Sequence, residues 1–575
     1  MMLIELISEE AAGERIRIVT AASLAGIANV VVLGYVNRVA QSADGAGLSS
    51  FAMFCVTVLV YVLSARYTCN RTTQIVESAL QRIKIRVSEK VERAELEQLE
   101  HIGIAEISDR IMENMSVISE SASRVANLLK SVCILIFAMI YLTRTSLPAF
   151  LMITMILGVG FSIYVSKQRQ IKQYLLQAAQ ERLTFFDILM DLLHGFKEVK
   201  FSRRRGREVC RDIDASASSL RQATVKANQL FNDNAVFATS LFYSVLGAIV
   251  YVLPKHATVD SATLSSLVVA IMFIWGPIVN ITGGYPAYIR SDVALDQLDA
   301  LEAKLDAAVH KAMDAGQAED PWQGRIDRIE AQELEFEYPL EDGKGSFRIG
   351  PINLAIAPGE VLFIVGGNGS GKSTLVKVLT GLYPCSDGVL RVNDIPIRPK
   401  NVAAYREMIS AIFADFHLFA KLYGFLDGGA EDAVADAGRT AAGVSVAQVQ
   451  RLLETMQLKG KTAFADGRFI SRNLSTGQKK RLAMIVALME DRPLYVFDEW
   501  AADQDPEFRK YFYEELIPTL KKNGKTLIIV SHDDRYFYCG DRVVTMEYGQ
   551  IRSIVPGKLP GKLPSELLGE LPGQL

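Results

Sequence analysis

Cysteine is scarce in this chain. Six occur in 575 residues (Cys55, Cys69, Cys133, Cys210, Cys385 and Cys539), with no paired spacing, which excludes a disulfide framework and a cysteine-based zinc site and leaves reduced packing residues. Net charge is almost absent too: 62 basic residues against 65 acidic ones give −3, a balance that does not suit a nucleic acid or another polyanion as partner. Charge of either sign is missing from five long runs, Ile18 to Asn37, Gly45 to Ala65, Thr145 to Ser166, Ala235 to Pro254 and Ser261 to Ile289. Each is near or above the ~20 residues a helix needs to cross a bilayer.

Half of the residues are hydrophobic and the mean hydropathy is +0.18. A sixth run, Ser131 to Thr143, reaches spanning length if it extends back through Val125 to Leu129 and carries Lys130 near its cytoplasmic end, where a long amine can snorkel. Lys and Arg crowd the stretches from Arg66 to Lys130 and from Lys167 to Asp233, whereas the outer loops hold only Arg38, Arg144 and Lys255. With Arg15, Arg17, Arg66, Lys167 and Arg169 beside the spans, both chain ends are expected on the cytoplasmic side. Met1 to Glu10 lacks the features of a cleavable signal, so the first run reads as a retained anchor in the lipid bilayer.

Between the spans, Tyr67 to Arg124 has no proline and one glycine, Gly103. That pattern suits two helices running out and back, with a reversal expected near His101 to Ile107. Lys167 to Asn234 looks alike, with its turn expected near Phe185 to Asp191. At ~1.5 Å per residue a 30-residue arm extends about 45 Å, far enough to reach a soluble domain. Asp292 to Ala318 reads as a charged, alanine-rich helical linker that completes a membrane domain over residues 1–318. Residues 323–555 then alternate short β-rich runs with helical ones, as an α/β nucleotide-binding domain does. Asp427 to Ala447 is rich in glycine and alanine and reads as a flexible insertion. The repetitive tail, residues 556–575, is expected to be poorly ordered.

Gly366-Gly367-Asn368-Gly369-Ser370-Gly371-Lys372-Ser373-Thr374 follows the apolar run Val361 to Val365 and precedes a helix-compatible stretch. In such a loop backbone N–H groups converge on phosphate oxygens, Lys372 reaches the β- and γ-phosphates, and the Ser373 hydroxyl ligates Mg²⁺. A nucleotide and Mg²⁺ are the ligands this motif implies. Downstream, Pro493-Leu494-Tyr495-Val496-Phe497-Asp498-Glu499 is an apolar strand ending in two acids, with Asp498 expected to hold Mg²⁺ through water and Glu499 to polarise the attacking water. Leu474-Ser475-Thr476-Gly477-Gln478 lies between the two elements, ahead of a helical run.

With these motifs the chain resembles the ATP-binding cassette superfamily, whose signature is usually Leu-Ser-Gly-Gly-Gln; Thr476 replaces the first glycine. The resemblance implies a six-helix membrane bundle with cytoplasmic extensions followed by an α/β P-loop domain. It also implies adenine stacking on Tyr338, a γ-phosphate contact from the switch histidine His532, and a D-loop aspartate at Asp505. The signature residues Ser475, Thr476, Gly477 and Gln478 then complete the ATP site of another cassette. One chain holds one cassette, so the working unit is expected to be a homodimer closing on two ATP molecules.

One position departs from the superfamily. Where a glutamine usually follows the next strand, Ile412-Phe413-Ala414-Asp415-Phe416-His417 places Ala414, and alanine can neither ligate Mg²⁺ nor orient water. Asp415 or His417 takes over part of that role, or Ser373 and Asp498 hold the metal with extra water. This stretch and the run Asp498 to Asp505 resemble bacterial exporters of cyclic peptides, lipopeptides and siderophores, implying a small peptide-like or siderophore-like substrate and the bacterial inner membrane. A nucleotide-gated regulatory protein with reduced turnover and an importer are the competing readings.

Overall fold

The computed structural model describes residues 13–41, 47–257, 259–313, 320–339, 346–425, 446–465 and 467–557. They belong to two compact units, Met1–Arg93 with Ile102–Ala307, and Ala94–His101 with Ala308–Leu575. The helical elements up to residue 313 are α1 (Arg15–Gln41), α2 (Leu48–Arg93), α3 (Leu96–Ile102), α4 (Ile104–Thr145), α5 (Leu147–Ser166), α6 (Gln168–His194), α7 (Phe196–Phe201), α8 (Arg203–Gly247), α9 (Leu253–His256) and α10 (Ser261–Met313).

Six helices among the described residues are long and apolar enough to cross a membrane, α5 and α6 forming one of them and α8 with α9 another. At 46 residues α2 extends about 69 Å, more than twice the ~30 Å hydrocarbon core, so its second half is the outgoing arm. Along its apolar half Phe51, Val56 and Leu59 stay exposed, which is the pattern of a lipid-facing surface. Between α8 and α9 the residues Ala248–Val252 form a π turn, which accommodates Pro254 and its missing N–H.

The first arm reverses partly where expected, and the second elsewhere. The first has two breaks, at 94–95 and at Gly103, with α3 between them; the expected window of His101 to Ile107 includes only the second. In the second arm α6 runs straight through Phe185 to Asp191 and ends at His194, and the reversal comes at Gly195 and Ser202, on either side of α7. The expected window has no helix breaker, whereas Gly195 ends α6 and Ser202 caps α8 through its hydroxyl, which accepts from the Arg205 N–H at 3.2 Å. In place of a separate linker, α10 continues unbroken to Met313, with residues 314–318 outside the described residues. Of the glycine- and alanine-rich insertion, Val446 opens a helix and residues 427–445 lie outside the described residues, as do residues 558–575 of the tail.

The second unit adds strands β1 (Ile329–Pro339), β2 (Ser346–Ile356), β3 (Val361–Gly366), β4 (Asp387–Val392), β5 (Ile395–Pro396), β6 (Ile409–Ile412), β7 (Phe464–Ala465), β8 (Arg468–Phe469), β9 (Leu494–Asp498), β10 (Thr526–Val530), β11 (Arg542–Glu547) and β12 (Gln550–Pro556). Its helices are α11 (Lys372–Leu379), α12 (Val402–Glu407), α13 (Val446–Thr455), α14 (Thr476–Glu490), α15 (Pro506–Tyr511) and α16 (Ile517–Lys522). The main sheet runs β12-β11-β3-β10-β9-β6, parallel except at β12, and a smaller antiparallel sheet runs β2-β1-β4-β5. β9 and β10 are buried at every residue and β3 at all but its last, as a parallel sheet covered on both faces requires of its centre.

Candidate nucleotide site

The parallel order β3-β10-β9 brings three strand ends side by side. Gly366 ends β3, Asp498 ends β9, and Ser531 and His532 follow β10. Ligands of open α/β sheets bind outside the carboxyl ends of the strands, which is where the phosphate loop lies. Gly366 has φ 151°, and a Cβ there would sit 2.3 Å from the Met546 carbonyl oxygen, so only glycine fits the turn out of β3.

Lys372, the first residue of α11, is buried, and its Nζ donates to the carbonyl oxygens of Gly366 at 3.0 Å and Gly367 at 2.9 Å. The amine is thus folded onto the loop itself. Burial pushes its pKa below the ordinary lysine value, against the pull of Glu499 and Asp498. Gly367, Asn368 and Gly369 are exposed at the apex of the loop, while Ser370 is buried and its Oγ has no hydrogen-bond partner. Ser373 and Thr374 continue into α11.

Asp498 is only 2% exposed, and its Oδ1 is buried without a partner. Burial pushes its carboxyl above the ordinary carboxylate range; Glu499 and Asp415 add like charge, against a hydrogen bond from Ser373 and the charge of Lys372. An acid held this way is stabilised by any cation that reaches it. Glu499 adopts φ 50°, the left-handed region that a glutamate rarely enters, and is held there by its N–H to the Val530 carbonyl at 3.1 Å and by Lys480 Nζ to its own carbonyl at 2.7 Å. That backbone turn brings the Glu499 carboxylate within 3.3 Å of His532 Nε2.

The signature residues are organised as a helix start. Ser475 caps α14: its Oγ accepts from the Gln478 N–H at 3.4 Å, and Gln478 Oε1 accepts from the Ser475 N–H at 3.1 Å. Thr476 is the first helical residue, and a Cβ on Gly477 would meet the Asp503 carbonyl oxygen at 2.5 Å. Asp505 caps α15 by accepting from the Phe508 N–H at 2.9 Å and pairs with Arg481, whose guanidinium stacks 3.8 Å above the Phe508 ring. A groove on one side of the first loop residues is lined by Gly366, Gly367, Ser531 and His532 together with Thr545, Glu547 and Arg552.

Tyr338 lies on β1 opposite Phe347 of β2, their rings 5.6 Å apart. Phe347 is the aromatic that reaches the loop, its Cζ 3.4 Å from where a Gly371 Cβ would be. Sequence reasoning missed it because the antiparallel pairing of β1 and β2 is needed to bring it there. Asp415 was one of two candidates for the position vacated at Ala414. It is near enough to Asp498 to repel it, whereas the His417 ring stacks edge-on against Phe419 at 5.0 Å. Lys480 and Arg481, both buried, were also missed, although the run Lys479-Lys480-Arg481 directly ahead of the apolar stretch from Leu482 to Met489 was a visible signal.

Residues 349–502 match the ABC transporter family. The chain is 28% identical to the ATP-binding protein SyrD of Pseudomonas syringae pv. syringae over 542 residues, 92% of each chain. It is 25% identical to an ATP-dependent lipid A-core flippase of Alkalilimnicola ehrlichii over 77% of this chain and 73% of that one. It is 32% identical to the energy-coupling factor transporter ATP-binding protein EcfA1 of Streptococcus sanguinis over 39% of this chain and 78% of the relative. Six spanning helices joined in one polypeptide to a P-loop α/β domain, matched in this way, make the chain a member of the ATP-binding cassette transporter family.

Proposed function

We propose that this chain exports a peptide-like or siderophore-like small molecule across the bacterial inner membrane, as a homodimer that alternates between inward- and outward-facing states. ATP-driven export is the coarser statement, and it rests on one observation: the membrane helices and the cassette occupy a single chain that SyrD matches over 92% of its length. An importer of this superfamily usually divides these parts between chains. The residues around the phosphate loop support the site assignment. Gly366, Asn368, Gly369, Ser370, Gly371, Lys372, Ser373 and Thr374 bind the phosphates, and Tyr338, with Phe347 beside it, serves the adenine.

The residues fit a magnesium ion. Asp498 offers a buried oxygen that lacks a partner, and Ser373 is already hydrogen-bonded to that carboxyl. One carboxylate and one hydroxyl are what Mg²⁺ takes from a protein when phosphates and water supply the rest, and the bound ion neutralises phosphate charge. Glu499 orients the attacking water, and His532, 3.3 Å from it, faces the γ-phosphate. Ser475, Thr476, Gly477 and Gln478, with Asp505 near them, serve the partner's site, a reading supported by the single cassette match in this chain.

Replacing Glu499 by Gln is the test. The variant should bind ATP and pair its cassettes while steady-state hydrolysis falls by about 10²–10⁴, and cells carrying it should fail to release a peptide-like mass into the medium. Equal hydrolysis by wild type and Glu499→Gln overturns the assignment of the base. An unchanged medium overturns the export of that cargo.

A further inference from the structure

We propose that the helical unit holds a pocket for an oxyanion, a carboxylate or phosphate borne on a larger molecule, where α4, α6, α8 and α10 converge. A cavity of about 470 Å³ lies there, lined among others by Glu113 and Asn114 of α4, Arg182 of α6, Asn228 of α8 and Arg290 of α10. These residues fall outside the uncharged runs, on the basic side of the spans: Arg290 directly follows the run that ends at Ile289, and Arg182 lies further out along α6.

Charge and hydrogen bonding are both incomplete in this cavity. Two guanidinium groups face one carboxylate, since Glu113 pairs with Arg182. Arg290, which is exposed, donates to Asn228 Oδ1 at 3.1 Å and lies over the Phe231 ring at 5.6 Å, and no carboxylate pairs with it among the described residues, so its charge is open to a ligand. Asn114 is 4% exposed, yet its Nδ2 has no acceptor, and Arg182 Nε is likewise buried without one. Every one of these deficits is a donor without an acceptor or a positive charge without a negative one. A buried donor left unpaired destabilises the state that holds it. A carboxylate or phosphate repairs both faults at once, and a guanidinium fork is shaped to receive it. Water supplies an acceptor but no charge.

If the occupant is cargo, the inference rests on the export reading and narrows it to acidic molecules; a lipid phosphate has the same chemistry. The full chain in discs of phosphatidylcholine, without nucleotide, can be titrated calorimetrically with N-lauroyl-glutamate and with its uncharged dimethyl ester. The acid should bind about tenfold more tightly than the ester. Arg290→Gln and Arg182→Gln should each remove most of that preference, and Asn114→Asp, nearly isosteric, should reverse it should either arginine variant fail to fold. Equal affinity for acid and ester in the wild type overturns the proposal, as does a preference that survives in all three variants.

Replacing phosphatidylcholine by phosphatidylglycerol separates the sources. An acid advantage that vanishes there identifies an anionic lipid headgroup as occupant, and one that persists identifies an acid borne on cargo. Both support the pocket. Because binding is read without ATP, the two readings fail separately. Acid and ester binding alike while Glu499→Gln still abolishes hydrolysis and cargo release removes the pocket alone, and acid selectivity without ATP-dependent release removes export alone.

Discussion

Both arms of this transporter end in a short helix between two breaks, and the two tips differ in what covers them. The first tip, Ala94–His101, is part of the cassette's compact unit. Glu95 accepts from Arg406 Nη2 at 2.8 Å, Glu100 accepts from Lys377 Nζ at 2.9 Å and from the Tyr383 hydroxyl, and Leu96 packs against the apolar cluster under the smaller sheet. Burial, with Glu100 beside it, pushes Tyr383 up to about 12, so its phenol stays a donor. The second tip, α7, has no buried residue, and its Phe201 is 92% exposed. A tip tied by ions has its partner within the chain. The second tip leaves Phe196 and Phe201 exposed, and in the proposed homodimer a second copy is what would cover them.

Lys377 lies on α11, five residues after Lys372, so the first tip is bonded to the helix that begins at the phosphate loop. The largest effect is therefore expected from Glu100→Lys, which sets two cations against each other at this joint. Glu100 is about half exposed, which limits the loss to roughly 1–2 kcal/mol and hence about five- to thirtyfold in cargo-stimulated ATP hydrolysis, with ATP binding retained. Adding Lys377→Glu restores an attractive pair and should recover most of the stimulation. Undiminished stimulation in Glu100→Lys breaks the contrast between the tips, because the bonded one would then be a passive contact.

Phe201→Ser should give the opposite pattern. A side chain exposed to this degree contributes little to its own chain, so the melting transition should move by less than about 0.5 kcal/mol. Stimulated hydrolysis should nevertheless fall about fivefold if a partner covers this ring, a loss of about 1 kcal/mol. Calorimetry of the variant beside its ATPase rate reads both. A lowered melting temperature means that α7 is held within its own chain, and the two arms are then alike.

The spans were legible because absence of charge over some twenty residues has few outcomes, and each of the six expected runs falls on one of the six observed spans, the second of which starts at Leu48 and the fourth at Leu147. The α/β order was legible for a related reason: residues 361–365 and 494–497 are short continuous apolar runs rich in β-branched and aromatic residues, as a sheet covered on both faces uses. The tips were not, because a helical arm can reverse at any breaker; Gly195 and Ser202 prevailed over the phenylalanine pair at 185–186, which propensity alone does not forbid in a turn. Within the site, the loop and the two acids could be read from spacing. The left-handed turn at Glu499 that aims it at His532, and the pairing that carries Phe347 to Gly371, depend on strand neighbours distant in sequence. For the same reason, nothing local indicated which of Asp415 and His417 lies near Asp498.

Ala414→Gln should have the smallest effect, and it tests whether the first tip is the main route from ATP to the helices. β6 runs parallel to β9 with Ile412 opposite Phe497, so Ala414 lies just past a strand end next to that of Asp498, and it is exposed, with room for a longer side chain. Asp415 already brings a carboxylate close to Asp498, so the added amide supplies at most one further hydrogen bond, about 0.5 kcal/mol at the low end of the usual range, or about twofold in basal hydrolysis. It should not rescue Glu100→Lys, because that variant breaks a joint on α11 rather than at the end of β6. Steady-state rates of the single and double variants decide the matter. A Glu100→Lys chain whose stimulation returns when the glutamine is added shows that coupling passes through the end of β6, and the ion pairs of the first tip then serve only to hold it.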